Sequence, residues 1–458
     1  MAEHSVTVEN TLQALLTEKK YSTIRDILIT MNPADIAAVF ACVEPEKLPL
    51  LFRLLPKELA AESFVEMESE EQEALIRGIS DKELRQVMDE LYVDDAVDIV
   101  EEMPANVVQR ILAQADPEMR KEINEILQYP EDSAGSVMTT EYVKLTPDMT
   151  VGDAILRIRR TGVDKETIYT CYVLKNRLLV GTVSVKSLLL APSDLQTIDS
   201  IMDTNLITVT THTDQEEVAQ MMSKYNLLAI PVVDGDNRMV GIVTFDDAMD
   251  VVEEETTEDM EIMAGMTPSD KTYLKSSPLD LFVHRIPWLS LLMISATFTG
   301  MIISNFEKAL ASMTCLAAFI PMLMDTGGNS GSQSSVTVIR ALSLGELEFS
   351  DLGKVIWKEI RTALICGAVL SVLCVGKVLL IDRLLMGNED VSLMVAVVVG
   401  LTLAVTVLCA KLVGCTLPML AKKLGFDPAV MASPFITTIV DAMSLLVYFG
   451  IATALLKL

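Results

Sequence analysis

The hydropathy pattern divides the chain into a polar N-terminal part and an apolar C-terminal part. Five apolar stretches in the second part approach the roughly 20 residues that a helix needs to cross a bilayer. They cover residues 286–306, 309–340, 362–381, 391–421 and 428–456. The second stretch is the least apolar, because Pro321 and Asp325 precede a run rich in Gly and Ser. The pattern predicts an all-α transmembrane domain of five helices over residues 282–458.

Residues 1–134 show short apolar runs with helical spacing. Pro-containing turn signals separate these runs at Asn32-Pro33, Glu44-Pro45, Leu55-Pro56 and Met103-Pro104. Short helices stacked in sequence fit this pattern best. We therefore expect an acidic, all-α superhelical N-domain.

Residues 135–245 change to an alternation of strands and helices that occurs twice, with a period of about 60 residues. Each copy opens on a short strand and a helix and then forms a hairpin of two strands. The hairpin turns fall at Asn176-Arg177 and at residues 234–237. This layout resembles a tandem pair of CBS domains, a regulatory α/β module.

In that family a Ser/Thr-x-x-Asp motif after the second hairpin strand can hold an adenosine nucleotide. The second copy has Thr244 and Asp247, whereas the first has Ser184 and Ser187 and lacks the acid. The resemblance implies at most one nucleotide site, with ATP as a regulator, and a pair without nucleotide is the alternative.

Residues 246–281 follow the pair as a connecting helix and linker. The helix is crowded with carboxylates at positions 246, 247, 250, 253, 254, 255, 258, 259 and 261. Like charges three or four positions apart on a helix repel each other. Either the segment is a solvated linker, or bound Mg²⁺ or a similar cation joins it to another acidic surface.

The net charge of the chain restricts the classes of molecule that it can bind. The chain has 36 Lys and Arg against 64 Asp and Glu, a formal net charge of −28. From Ser277 onward there are 12 basic and 12 acidic residues, so the whole excess belongs to residues 1–276. A polyanion argues against nucleic acid and against an anionic membrane surface. It suits hard divalent cations, although acidity for solubility alone is the simpler interpretation.

Cysteine spacing and flanking charges add two expectations. The seven cysteines are scattered without a CxxC or Cys/His cluster, which predicts neither disulfides nor a zinc site. No secretory signal is visible at the start, and basic residues concentrate in the second and fourth loops of the apolar part. The positive-inside rule then predicts a cytoplasmic N-terminal half and, with five spans, an external C-terminus.

Asp441 is the one charged side chain in the stretch 428–456. At about 1.5 Å per residue it lies roughly 20 Å from either end of a helix over that stretch. An intramembrane carboxylate usually marks an ion or substrate path. Thr437, four residues earlier, shares its helix face. The alternative is an ion pair with a basic side chain on another helix.

The order of an acidic helical domain, a CBS pair, an acidic connecting helix and five spans resembles the MgtE family of magnesium channels and transporters. Two segments carry the resemblance at residue level, PMLMDTGGNSGSQSS at 321–335 and FDPAVMASPFITTIVDAMSLLVYF at 426–449. The resemblance implies a homodimer in the cell membrane that conducts Mg²⁺ without enzymatic activity. Cytosolic Mg²⁺ would close it.

The resemblance also implies roles for individual residues. Asp441 would bind hydrated Mg²⁺ in the pore, lined by Asn329, Ser433 and Thr437. Ser433 stands where some members have Asn. Regulatory Mg²⁺ would bind Asp94, Asp98, Asp214, Glu216, Asp247, Asp250, Glu255, Glu258, Asp259 and Asp427. For Asp94 and Asp98 the simpler interpretation is a solvated helix face.

Two other functions remain open on the sequence alone. One is a secondary transporter that exchanges a divalent cation for H⁺ or Na⁺, with Asp325 and Asp441 as the linked sites. The other is a membrane-anchored Mg²⁺ or nucleotide sensor that conducts nothing.

Overall fold

The computed structural model describes residues 11–12, 14–269 and 273–456. The chain divides into two compact units between Val252 and Glu253.

The first part of unit one is helical throughout. Nine helices are described between residues 21 and 126: α1 Tyr21–Leu28, α2 Pro33–Ala41, α3 Leu48–Phe52, α4 Lys57–Val65, α5 Ser69–Gly78, α6 Asp81–Met88, α7 Val93–Glu102, α8 Ala105–Gln114 and α9 Pro117–Ile126. Proline and capping residues set their ends. Helix α9, for example, has Pro117 in its first turn, and the Asp116 carboxylate accepts hydrogen bonds from two backbone N–H groups. Apolar side chains such as Ile24, Phe40 and Leu75 fill the interior. The helical N-domain is confirmed.

The two copies of the strand–helix repeat form two three-stranded sheets. The first copy contains β1 Tyr142–Leu145, α10 Val151–Thr161, β2 Thr167–Lys175, β3 Leu178–Ser184 and α11 Val185–Leu189. The second contains β4 Val209–Thr210, α12 Gln215–Tyr225, β5 Ala229–Val233 and β6 Met239–Thr244. In each sheet the first strand is parallel to the second, and the second is antiparallel to the third. This repetition confirms the tandem pair.

Each hairpin turns where the sequence predicts it. Asn176, Arg177 and Asn237 adopt positive φ angles, as tight turns require. The two sheets meet through a small cluster in which the rings of Tyr142 and Tyr172 pack edge to face, with centroids 5.6 Å apart. A separate core connects the second copy with the N-domain helices.

Helix α13 runs without interruption from Phe245 to Met263 and contains all nine carboxylates of the predicted connecting helix. It begins in unit one and ends in unit two.

Unit two contains the helices α14 Pro278–Asn305, α15 Glu307–Ser312, α16 Ile320–Ser343, α17 Leu352–Lys377, α18 Leu393–Lys423 and α19 Ser433–Leu456. A π-helical segment, Val378–Leu385, continues α17. Within the described residues, four segments are long and apolar enough to cross a membrane: Pro278–Asn305, Phe349–Leu385, Leu393–Lys423 and Pro428–Leu456. Helix α16 is 24 residues long but more polar, so the fifth span stays a prediction.

Two predicted boundaries were wrong. The second apolar stretch, predicted over 309–340, is divided between α15, a 3₁₀ turn at Thr314–Phe319 and α16. The third begins at Leu352 rather than at 362, and its first turns include Glu359, which is largely buried beside Lys411.

Glycines let α16 approach its neighbours closely. A Cβ at Gly327 would stand 2.7 Å from a methyl carbon of Thr406 on α18 and 2.8 Å from the Ser444 hydroxyl on α19. A Cβ at Gly414 of α18 would overlap the carbonyl group of Gly331. Small residues at such crossings are typical of membrane helices, which gain little from apolar burial within lipid.

Candidate functional site

Unit one brings carboxylates from three segments together. Helix α7 supplies Asp94, Asp95 and Asp98, and the first turn of α13 supplies Asp247. Asp94 is only 7 % exposed, and its Oδ1 atom has no hydrogen-bond partner among the described residues. The charge of Asp247 acts on all three carboxylates of α7. We call these residues, together with Glu141 and Glu166, the acidic cluster.

Glu141 and Glu166 come from the first repeat, and sequence reasoning missed both. Glu141 accepts hydrogen bonds from the Thr139 hydroxyl at 2.8 Å and from the backbone N–H of Val93 at 3.4 Å. The Oε2 atom of Glu166 is buried without a partner in the described part of the chain. Neither residue belongs to a motif, so only the fold reveals them.

Burial and mutual repulsion disfavour the charged forms of these acids. Burial, followed by the charge of Asp247, raises the pKa of Asp95 to about 7 and that of Asp94 well above its usual range. Burial and the charge of Asp95 raise the pKa of Glu166 to about 8. The pKa of Asp98, which is more exposed, is also raised, by burial and by Asp247. A cation would relieve this repulsion.

The cluster has no convergent set of direct ligands. Among the described residues, no three Asp, Glu, His or Cys side chains lie close enough together to hold a bare metal ion. Mg²⁺ dehydrates reluctantly and is often bound through its waters. The arrangement therefore suits a hydrated divalent ion better than a dehydrated one.

The nucleotide motif overlaps the acidic cluster. The Thr244 hydroxyl donates a 2.6 Å hydrogen bond to Oδ2 of Asp247, and Thr244 is itself buried. In the first repeat the hydroxyls of Ser184 and Ser187 lie 2.8 Å apart, with no carboxylate in the corresponding position. Asp247 thus participates both in the nucleotide motif and in the acidic cluster.

The other predicted regulatory residues of unit one lie elsewhere. Asp214 caps α12 by accepting a hydrogen bond from the backbone N–H of Glu216, and the Glu216 carboxylate accepts one from Gln220. Asp250 is exposed on α13, where its charge acts on Asp247. The metal-binding roles of Asp214 and Glu216 remain predictions.

Asp259, near the end of α13, contacts the end of α16. The Ser343 hydroxyl donates a 3.2 Å hydrogen bond to Asp259 Oδ2. Burial and then the charge of Asp427 raise the pKa of Asp259, whereas Ser343 and Arg340 oppose that shift. Asp427 itself accepts a hydrogen bond from the backbone N–H of Ala429 at 2.7 Å. Asp259 and Asp427 are thus close, as their predicted common role requires.

Glu255 and Glu258 lie on the same helix as Asp259. Glu255 is half-buried and Glu258 is exposed. Their role in binding Mg²⁺ remains a prediction.

Helix α16 exposes a stripe of polar side chains at intervals of four residues. This stripe consists of Asp325, Asn329, Gln333 and Thr337. The opposite face of α16 is buried against α18 and α19 through Gly and Ser residues. An exposed polar face in an otherwise apolar unit is out of place in lipid, so it suits a water-filled path.

Asp441 lies beside this stripe on α19. Its Oδ1 atom is buried and has no hydrogen-bond partner among the described residues, and the Asp325 carboxylate is near enough to repel it. Thr437, one turn earlier, packs against Gly328. The described part of the unit pairs no basic side chain with Asp441. The side chain of Ser433 lies outside the described residues.

Family models match most of the chain. A divalent cation transporter model, MgtE, matches residues 320–451, and the MgtE intracellular N domain matches residues 31–132. The CBS domain model matches residues 134–194 and 198–254.

Two curated relatives are similar over nearly the whole length. The magnesium transporter MgtE of Thermus thermophilus is 36 % identical over 97 % of this chain and 98 % of its own. The magnesium transporter MgtE of Bacillus subtilis is 33 % identical over 96 % of this chain and 95 % of its own.

Two solved structures resemble the N-terminal half. The cytosolic domain of the Mg²⁺ channel MgtE in complex with ATP has a TM-score of 0.51 and is 36 % identical. It covers 53 % of this chain and 99 % of its own. The soluble part of a magnesium transporter also has a TM-score of 0.51, is 28 % identical, and covers 55 % of this chain and 99 % of its own.

Proposed function

The chain belongs to the MgtE family of magnesium transporters, and from that membership we propose that it is a Mg²⁺-selective channel that cytosolic Mg²⁺ closes. The observation that carries this proposal is the polar stripe of α16 beside Asp441, whose buried Oδ1 has no partner among the described residues. The membrane potential would supply the driving force, about 4.6 kcal/mol for a divalent ion per 100 mV.

The ion path is proposed to run along the polar stripe of α16. This stripe lies on the surface of a single protomer, and a second copy would enclose it. In such a homodimer two Asp441 carboxylates would face each other across the axis. They could accept hydrogen bonds from the waters of a hydrated Mg²⁺ without removing those waters. Asn329 and Thr437 would complete the polar lining.

The gate is proposed to respond to charge at both ends of α13. Asp247, in its first turn, belongs to the acidic cluster, and Asp259, about 18 Å further along the helix, contacts α16 through Ser343. Bound Mg²⁺ would neutralise both ends and favour one fixed position of α13 with the pore closed. When Mg²⁺ is scarce, the unneutralised carboxylates would repel and favour the open state.

Flux through reconstituted protein tests the ion path. Vesicles that contain the full chain and an internal Mg²⁺ indicator should show potential-driven uptake. Asp441→Asn should remove most of that uptake at equal protein content. Glu389→Gln is the matched control, because Glu389 is an exposed acid outside the stripe. Equal uptake by wild type and Asp441→Asn would refute the proposed path.

Single-channel recording separates the proposal from its alternatives. A channel passes ions at a conductance far above carrier turnover and needs no counter-ion gradient. A transporter coupled to H⁺ or Na⁺ through Asp325 and Asp441 would stop when the gradient of the coupling ion is removed. A non-conducting sensor would give no current at any Mg²⁺ concentration.

An adenosine nucleotide is proposed as a second regulator. The similar cytosolic domain of the Mg²⁺ channel MgtE was solved in complex with ATP, and the Thr244–Asp247 pair supplies the motif here. Titration calorimetry of ATP against the full chain and against Thr244→Val would test this. ATP binding that is equal in both proteins would exclude the second repeat as the site.

A further inference from the structure

Three helices of unit two meet at a buried cluster of charged and polar side chains. Lys411 of α18 is 6 % exposed, and its Nζ atom lies 3.2 Å from the Ser334 hydroxyl of α16. That hydroxyl donates a 2.7 Å hydrogen bond to Oε2 of Glu359 on α17. The Lys411 Nζ atom is 3.7 Å from the same carboxylate oxygen. We call these three residues the polar triad.

The polar triad lies one helical turn from a close approach of the α16 and α18 backbones. Gly414 follows Lys411 by three residues on α18, and Gly331 precedes Ser334 by three residues on α16. These two glycines bring the two backbones together. The triad and the glycine pair therefore lie on the same faces of α16 and α18, where the two helices contact each other.

Small residues make up most of the buried face of α16, and buried hydrogen bonds from Ser334 and Ser335 help to orient it. Six of its buried residues are Gly or Ser, and such small side chains offer few shaped apolar contacts. Hydrogen bonds between helices are the alternative means of orienting them in a membrane. Ser334 is the buried neighbour of Gln333, so the direction of Ser334 sets the direction of the exposed polar stripe.

We propose that the polar triad is a rotational lock that holds the polar stripe of α16 in the ion path, with Lys411 as a positioning residue. Buried ion pairs contribute little net stability, and their best-attested role is to specify register. The inference rests on the proposed function, since it assigns the lock to the helix that would line the path. Lys411 is buried within the protomer and does not itself touch the ion.

The test measures the direction of Gln333 and transport in the same proteins. Gln333→Cys is introduced into the full chain, and its reaction with a charged, water-soluble methanethiosulfonate reagent is timed in vesicles. Protein without the added cysteine gives the blank for the native thiols. The same measurement follows in Lys411→Met and in Lys411→Met with Glu359→Met. The double variant leaves no unpaired buried charge, so we expect it to fold.

We expect Gln333→Cys to react rapidly in the parent and at least about tenfold more slowly in both Lys411→Met backgrounds. Mg²⁺ uptake should fall by a similar factor at equal membrane abundance, which corresponds to only about 1.4 kcal/mol. Lys411→Arg, which keeps the charge, should restore both readouts. The matched control is Lys377→Met with Asp382→Asn, because that pair joins residues five apart on one helix at 2.8 Å.

Two results would overturn the inference, and only the second would also overturn the proposed ion path. If the double variant keeps the parental labelling rate and uptake, the lock is dispensable and the ion path stands. If Gln333→Cys is unreactive even in the parent, the stripe does not face water. In that case the proposed path fails, and the lock fails with it.

Discussion

Neutralising one acid of the acidic cluster should stabilise the ion-free protein and weaken its response to Mg²⁺. The substitution is Asp95→Asn, which preserves size and an acceptor oxygen for the backbone of Tyr92. Asp89→Asn is the matched control, since Asp89 is an exposed acid of the same domain outside the cluster. Asp95 interacts with Asp247, Glu141 and Asp246, so its charge is opposed from several sides.

The size of the effect follows from the raised pKa. A shift from 3.8 to about 7 corresponds to about 4 kcal/mol against the ionised form at pH 8. The neighbouring acids titrate in the same pH range and can take up protons when Asp95 is ionised, which lowers the repulsion. We therefore expect Asp95→Asn to raise the free energy of unfolding by roughly half of that value, ~2 kcal/mol. For a unit of this size that amounts to about 4 °C or more in the melting temperature.

The assay is thermal unfolding of the full chain in detergent at pH 8, first with EDTA and then over a Mg²⁺ series. In EDTA the variant should melt higher than wild type. At saturating Mg²⁺ the difference should vanish or reverse, because the ion already neutralises the wild-type carboxylates. If Asp95→Asn behaves like Asp89→Asn in both conditions, the acidic cluster is not the cation-responsive element.

Three further outcomes are expected. Asp441→Ala should fold at normal abundance but fail to restore Mg²⁺-dependent growth in a host that lacks Mg²⁺ uptake. Replacing Glu255, Glu258 and Asp259 by Gln, Gln and Asn should raise the Mg²⁺ concentration for half-closure and weaken the protection of α13 from protease by Mg²⁺. With EDTA, the melting temperature should fall from pH 6 to pH 8.5. Because the pKa values of the acidic cluster are raised, its contribution to the free energy of unfolding is fully present below about pH 4 and is lost as pH rises through 7 to 8. Bound Mg²⁺ should make the melting temperature less dependent on pH.

Local patterns predicted the elements well, because periodicity and turn chemistry are local properties. The hairpin at Asn176-Arg177 and the continuous helix α13 follow from residues adjacent in sequence. Only part of the acidic cluster could be predicted from the sequence. The α7 acids and Asp247 stood out, but Glu166 joins them only because the fold brings together segments that are distant in sequence.

The polar triad shows a different limit of sequence reasoning. Hydropathy treats Glu359 and Lys411 as interruptions, since a charge in a membrane helix is costly unless it is paired. Their pairing depends on how α17 and α18 pack, which no local pattern reveals. Packing also decides the environment of Ser444, which follows Asp441 by three residues on α19 and is buried beside Gly327.

The energetics of closure set a lower bound on how many Mg²⁺ ions the proposed gate requires. Moving a two-state gate from mostly open to mostly closed requires about 5.5 kcal/mol of differential binding. Relief of repulsion at Asp95 supplies roughly 2 kcal/mol, which is less than half of that requirement. A hydrated ion in the acidic cluster also lacks the direct ligand bonds that strengthen the binding of a fully coordinated ion. The proposed gate would therefore also draw on the other acids of the cluster and on further ions at the Asp259 and Asp427 end of α13. Closure should be cooperative, with a Hill coefficient above one in a titration of open probability against cytosolic Mg²⁺. Neutralising Asp259 and Asp427 should lower that coefficient, and a coefficient of one in wild type would show that one ion suffices.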